Sequence, residues 1–296
     1  MFYYKLYDRI FKSDIQLFNI PQITVSDPIA DVIIHAGQFD YEEITQNRYN
    51  FILRKDFTIV RIKYGALRIN TGNEILYSIK EGYNPECITP YIMGWGIAFV
   101  LTQMGYSAFH CSALTYNDQC FFVSGVSGAG KSTTALELIK HGCKYLCDDI
   151  AIVDSYENMN IPPAFPIQKV CPDVSLNLDD NLLYSINNDR GKYSYLNISD
   201  YCDTPKRLSV IFSLMTGDVP CVEVKEITGI DKFLRIIECL FLELQYALSH
   251  LPDEEKFRCL KIAGNVRLYM ITRPKDKNTL DEITNTILSI MDKQGE

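Results

Sequence analysis

Over the first 88 residues the apolar positions fall at strand spacing. Phe2–Tyr7, Asp31–His35, Phe51–Arg54, Phe57–Ile62 and Ala66–Ile69 alternate or run apolar at strand length. Between them stand Ser26-Asp27-Pro28, Gly37, Gly65 and Thr71-Gly72-Asn73, residues that turn a chain. The period then changes. Thr89–Gln103 has helical spacing, with Thr89 as N-cap and Pro90 at the first helical position. Two strands follow, Ala108–Leu114 and Cys120–Ser124, joined by a turn at Tyr116-Asn117-Asp118. Ser132–His141 reads as a helix, apolar at Ala135, Leu136, Leu138 and Ile139, with Gly142 at the C′ position. Tyr145–Val153 is a strand interrupted by Asp148-Asp149. Residues 160–205 read as irregular, broken by Pro162, Pro163 and Pro166 and polar from 177 to 188. Beyond them come a strand (Arg207–Met215), a helix (Asp231–His250), a strand (Asn265–Thr272) and a closing helix (Asn278–Met291). No internal repeat or low-complexity run interrupts this order.

Composition narrows the classes. Of 296 residues, 47% are hydrophobic and 22% charged, the balance of a globular chain with a real core. The net charge of −8 argues against nucleic acid or an anionic membrane as a partner, and favours a neutral or cationic one. The ten cysteines are scattered without a C-x-x-C pair, as expected of small buried thiols in a reducing compartment. The N-terminus lacks a signal-peptide layout, and Ile92–Met104 is too short to span a bilayer. A cytoplasmic protein is expected.

The chemistry concentrates at Gly125-Val126-Ser127-Gly128-Ala129-Gly130-Lys131-Ser132, which fits G-x-x-x-x-G-K-[ST], the phosphate-binding loop. A strand precedes it and a helix follows, the context the motif needs. The glycines let successive N–H groups turn toward phosphate oxygens, and the helix aims its positive end at them. Positions 125–133, from Gly125 through Ser132 to Thr133, are therefore the candidate nucleotide contacts. Lys131 would bring charge to the β/γ-phosphates, and the Ser132 hydroxyl would sit on Mg²⁺. Asp148-Asp149, one strand later, can supply a metal-side carboxylate and a base, because adjacent side chains on a strand face opposite ways. His110 lies on the strand before the loop strand; alone, a histidine there is more often a packed core residue.

Taken together, His110-Cys111-Ser112-Ala113-Leu114, Gly125–Ser132, Thr134–Gly142 and Asp148-Asp149 resemble the catalytic domain of HPr kinase/phosphorylase. Phosphoenolpyruvate carboxykinases are more distant relatives of that site. The resemblance covers about residues 107–153. It implies an α/β P-loop kinase domain of HPr kinase/PEP carboxykinase type over residues 106–296, preceded by a smaller β-rich lobe with a linking helix over residues 1–105. It also implies transfer of the γ-phosphoryl group of ATP, or of GTP, to a serine/threonine-type hydroxyl. In these terms Asp148, His110 and Lys131 are catalytic, while Ser132 and Asp149 hold Mg²⁺. The family's E-x-R-G-x-G segment has no counterpart beyond a faint echo at Asp189-Arg190-Gly191-Lys192, so phosphorolysis is not implied. The N-terminal lobe is more similar to that of stand-alone relatives, some of which phosphorylate ribosomally made peptides. The expected acceptor is a peptide or small protein, gripped in part by residues 161–201, and relatives commonly form homo-oligomers. A small-molecule kinase and a non-catalytic nucleotide-binding regulator are the alternatives. Arg190, Lys192, Arg207, Arg267 and Arg273 cannot be ranked as phosphate clamps from sequence.

Overall fold

The computed structural model describes residues 1–17, 20–24, 28–42, 44, 50–126, 128–155, 158–170, 183–185, 193–242 and 250–294. The chain divides into two compact units, Met1–Tyr106, and Ser107–Ser185 together with Lys192–Glu296. Residues 186–191, grouped with the first unit, lie outside the described residues.

The first unit is built on a seven-stranded sheet ordered β1-β2-β3-β7-β6-β5-β4. Its strands are β1 (Phe2–Leu6), β2 (Arg9–Ser13), β3 (Val32–Ala36), β4 (Phe51–Leu53), β5 (Phe57–Ile62), β6 (Gly65–Asn70) and β7 (Glu74–Ile79). Five of these match the apolar runs expected as strands; β2 and β7 do not correspond to any expected strand, although both alternate in burial. The turn into β2 uses Tyr7 and Asp8 at positive φ, without the glycine that usually marks such a hairpin. A helical run follows: a 3₁₀ turn (Pro85–Ile88), an α-helical turn (Thr89–Tyr91), a π segment (Ile92–Gly96) and helix α1 (Ile97–Gln103). Its cap is Asn84, whose side chain accepts from the Glu86 N–H. Thr89 is therefore not the N-cap. It lies inside the run, and its hydroxyl donates to the Glu86 carbonyl at 2.9 Å. The run buries Ile88, Ile92, Ile97, Val100 and Leu101. It approaches β6 and β7 at Gly96, where a Cβ would already meet Ile75 at 3.4 Å.

The second unit carries a mixed sheet ordered β11-β9-β10-β17-β19-β18. It is preceded by the short strand β8 (Ser107–Phe109), and its own strands begin with β9 (Cys111–Tyr116) and β10 (Gln119–Gly125). Helix α2 (Lys131–Lys140), β11 (Lys144–Cys147), β12 (Ala151–Val153) and β13 (Asn160–Ile161) come next. Then follow β14 (Ile167–Val170), β15 (Leu183–Ser185), β16 (Tyr193–Leu196), β17 (Lys206–Gly217) and β18 (Glu223–Glu226). Helices α3 (Gly229–Glu238) and α4 (Asp253–Asn265), strand β19 (Arg267–Pro274) and helix α5 (Leu280–Asp292) complete it. Strands β10, β17 and β19 are parallel, and β9 runs antiparallel between β10 and β11. Helices α2 and α5 pack together, closing a core of Leu114, Phe121, Val123, Leu138, Phe212, Leu214, Ile271 and Ile287.

Several expectations change here. The strand expected at Ala108–Leu114 breaks at His110, whose N–H leaves the ladder and donates to the Cys239 carbonyl at 2.9 Å. The strand expected at Tyr145–Val153 ends at Cys147, and the two aspartates lie in a bend before β12. Residues 160–205 are not uniformly irregular: β14, β16 and β15 form a small antiparallel sheet. The helix expected at Asp231–His250 stops at Glu238; Leu240 bridges to Phe109, and residues 243–249 lie outside the described residues. Helix α4 has no clear apolar stripe, because its buried face includes the paired Glu255 and Arg258 beside Cys259 and Ile262. Nine cysteines are described, all as free thiols. No described helix is long and apolar enough to cross a membrane.

Candidate functional site

The sheet order brings the candidate residues to one edge. Strand β10 ends at Gly125 and leads into the loop. Because β9 is antiparallel, its first residue, Cys111, pairs with Ser124, which places His110 beside the loop's entry. Strand β11 reverses again, pairing Cys147 with Ala113, so Asp148 and Asp149 emerge at the same edge. On the other side β17 and β19 run parallel to β10, with Gly125, Leu214 and Ile271 in register. Arg273 follows two residues later. The crevice at the carboxyl ends of parallel strands is where α/β sheets hold ligands.

The loop's path requires its glycines. Gly125 has φ +143°, and a Cβ there would stand 2.3 Å from the Leu214 carbonyl oxygen. Gly128 (φ +85°) and Gly130 (φ +102°) are left-handed, and Gly130 caps α2. The loop closes with Ala129 N–H donating to Val126 O at 3.1 Å. Lys131 Nζ donates to Gly125 O at 2.8 Å and Val126 O at 3.4 Å, which stretches the side chain back across the loop. At the far end Gly142 and Cys143 donate to Ile139 and Leu138, the paired bonds of a Schellman cap, so the helix ends where Gly142 predicts. Ser132 is half-buried and Thr133 exposed on the first turn; Ser127 lies outside the described residues.

The paired aspartates are not in strand alternation. Asp149 has φ +80°, a left-handed position outside strand geometry, and the two carboxylates take different partners around Lys169. Asp148 Oδ1 accepts from Ser112 Oγ at 2.8 Å, and Oδ2 accepts from Lys169 N–H at 2.7 Å. Asp149 Oδ2 meets Lys169 Nζ at 2.6 Å, and Oδ1 faces His110 Nδ1 at 3.5 Å. Burial pushes the His110 imidazole pKa down, Asp149 pulls it up and Lys131 pushes it down; the net shift is downward. Burial works against the Lys169 ammonium, but Asp149 and Asp148 together favour the charged form and its pKa is raised.

Two cations complete the site beyond the motif. Lys169 comes from β14, inside the stretch expected to be irregular. Its signal was a lysine in the short run Ile167–Val170 after Pro166. Arg273 Nε donates to the Ala129 carbonyl at 3.2 Å, within the loop itself. By contrast Arg267 is engaged elsewhere, in a bidentate pair with Glu226 at 2.9 Å. Arg190 and Lys192 lie outside the described residues, as do most of residues 171–192.

The donors suit one hard cation. Ser132 offers a hydroxyl and Asp149 a half-exposed carboxylate, both oxygen ligands. Among the described residues no group of three or more His, Cys, Asp or Glu forms a closed cage. One or two protein oxygens completed by phosphate and water is the arrangement Mg²⁺ favours.

No family model matches the chain, and no curated protein matches it. Among solved structures it is similar to the Hpr(Ser) kinase/phosphatase from Coxiella burnetii, at 14% identity and a TM-score of 0.34. That match covers 64% of this chain and 99% of the other. A likeness of that size carries no argument about substrate or chemistry.

Proposed function

We propose that this chain is a P-loop phosphotransferase that moves the γ-phosphoryl group of ATP to a serine/threonine-type hydroxyl of a peptide or small protein. One observation supports this above the rest: the glycine loop, His110 and the Asp148-Asp149 bend share a single sheet edge, with Asp148 oriented by two donors. In this reading Asp148 takes the hydroxyl proton as the oxygen–phosphorus bond forms and the bond to the β-phosphate oxygen breaks. The loop amides, Lys131 and the N-terminal end of α2 bear the charge that develops on the phosphates. His110, whose imidazole pKa is shifted downward chiefly by desolvation, would stand beside the loop's entry on the phosphate side. Ser132 and Asp149 would hold Mg²⁺, which when bound neutralises phosphate charge and orients the leaving group. Most of the barrier reduction would come from positioning and electrostatics.

Two measurements test the reading. Calorimetry should show Mg²⁺-dependent ATP binding that Lys131→Ala weakens by about tenfold or more, the scale of losing a charge-assisted contact. Labelled ATP should then transfer phosphate to serine- or threonine-containing peptides. Unchanged ATP affinity in Lys131→Ala refutes the nucleotide site. Labelling of a free metabolite in preference to any peptide refutes the acceptor class.

A further inference from the structure

We infer that the Lys169 ammonium is a built-in counter-ion for Asp149 that competes with a divalent cation for that carboxylate. The inference rests on reading Asp149 as the metal-side aspartate.

Lys169 touches both aspartates through two separate groups. Its main-chain N–H donates to Asp148 Oδ2 at 2.7 Å, and its ammonium meets Asp149 Oδ2 at 2.6 Å. These contacts differ in freedom. The N–H belongs to β14, whose register with β16 pairs Lys169 with Ser194. The ammonium ends a flexible four-carbon stem, and 22% of its side chain is exposed, so it can leave without disturbing the strand. The Asp148 contact would survive that departure.

Two adjacent carboxylates on a left-handed bend repel each other, and a neighbouring ammonium offsets that repulsion. A divalent ion on either oxygen of Asp149 would meet this ammonium as a like charge on the same carboxylate. On this reading, binding of the ion displaces the ammonium or works against it. An ammonium that only oriented Asp149 would have the opposite effect, since its removal would loosen the ligand and weaken ion binding. The sign of the change separates the two roles.

The experiment titrates Mn²⁺, followed by electron paramagnetic resonance, into the full chain with ADP present. Wild type, Lys169→Met and Lys169→Arg are compared. Lys169→Met should bind Mn²⁺ more tightly, by roughly threefold to tenfold, as expected on removing a half-buried ion pair. Lys169→Arg, which keeps the charge, should stay within about twofold of wild type. If Lys169→Met does not fold, Lys169→Gln is read in the same way. Unchanged or weaker Mn²⁺ binding by the neutral variant overturns the inference, while binding by wild type leaves the nucleotide–metal reading standing. A wild type that binds no Mn²⁺ with ADP overturns both.

Discussion

Replacing Asp148 with asparagine separates chemistry from architecture. The side chain accepts two hydrogen bonds, from Ser112 Oγ on Oδ1 and from Lys169 N–H on Oδ2. Asparagine keeps one acceptor and turns the other into a donor. The main-chain N–H of Lys169 cannot reverse, so the amide oxygen must stay there. Its NH₂ then faces Ser112, whose hydroxyl can rotate and accept. Both contacts survive in altered form, and the structural cost should be about 1 kcal/mol, the worth of one ordinary hydrogen bond. Loss of a general base costs ~10²-fold or more in transfer, equivalent to roughly 2.7 kcal/mol at 1.36 kcal/mol per decade. The kinetic loss should therefore exceed the structural one. Single-turnover transfer from bound ATP measures the first, and urea unfolding with ATP calorimetry measures the second. Ser112→Ala serves as a control: it removes one partner and should slow transfer far less. Transfer by Asp148→Asn within about threefold of wild type, with normal ATP affinity, would refute the base assignment. Collapse of stability and ATP binding together would make Asp148 a structural residue.

Arg273→Ala should raise the ATP dissociation constant about tenfold with little change in melting, because it removes a cation bonded into the loop at Ala129; an unchanged constant refutes this. Gly125→Ala should cost ~2 kcal/mol or more in urea unfolding and abolish nucleotide binding, since its Cβ would lie 2.3 Å from Leu214 O. Gly128→Ala meets open space and should cost only about 1 kcal/mol for its positive φ. In the first unit, the His35 contact at 2.8 Å and then the Asn70 amide hold the Glu74 carboxyl below its ordinary value of 4.5. A depressed value stabilises the fold above about 4.5, and that contribution fades as pH falls through the lower folded-state value. Glu74→Gln should therefore destabilise at pH 7 and have little effect near pH 3, at roughly 1 kcal/mol or less for so exposed a group. An equal loss at both pH values refutes the linkage.

What the chain shows without its fold is whatever acts locally. The loop from Gly125 to Ser132 is contiguous, and each glycine answers a backbone need that no distant residue can alter. The same holds for the hairpin turn at Asn117-Asp118 and for the stop at Gly142, both short-range geometry. Strands β1, β3, β4, β5 and β6 were legible because their apolar residues alternate or run together at strand length between turn residues. Strand β18 was not, because its four residues are all exposed and carry no such pattern.

The rest depended on contacts between distant segments. Asp148 and Asp149 lie in a bend with Asp149 left-handed rather than on an alternating strand, and partners of the two carboxylates lie 36 and 20 residues away at Ser112 and Lys169. Arg273 reaches Ala129 across 144 residues because two parallel pairings, β10 with β17 and β17 with β19, bring the end of β19 to the loop's side of the sheet, one strand removed from β10. Helix α4 escaped notice because Glu255 and Arg258 neutralise each other inside the core, so its buried face does not look apolar. Helix α3 ends early because Cys239 and Leu240 are drawn to His110 and Phe109, a pull its own helical pattern cannot reveal. Local backbone demands were written in the sequence; the counter-ions of the site were decided by sheet order, which sets which distant charges meet.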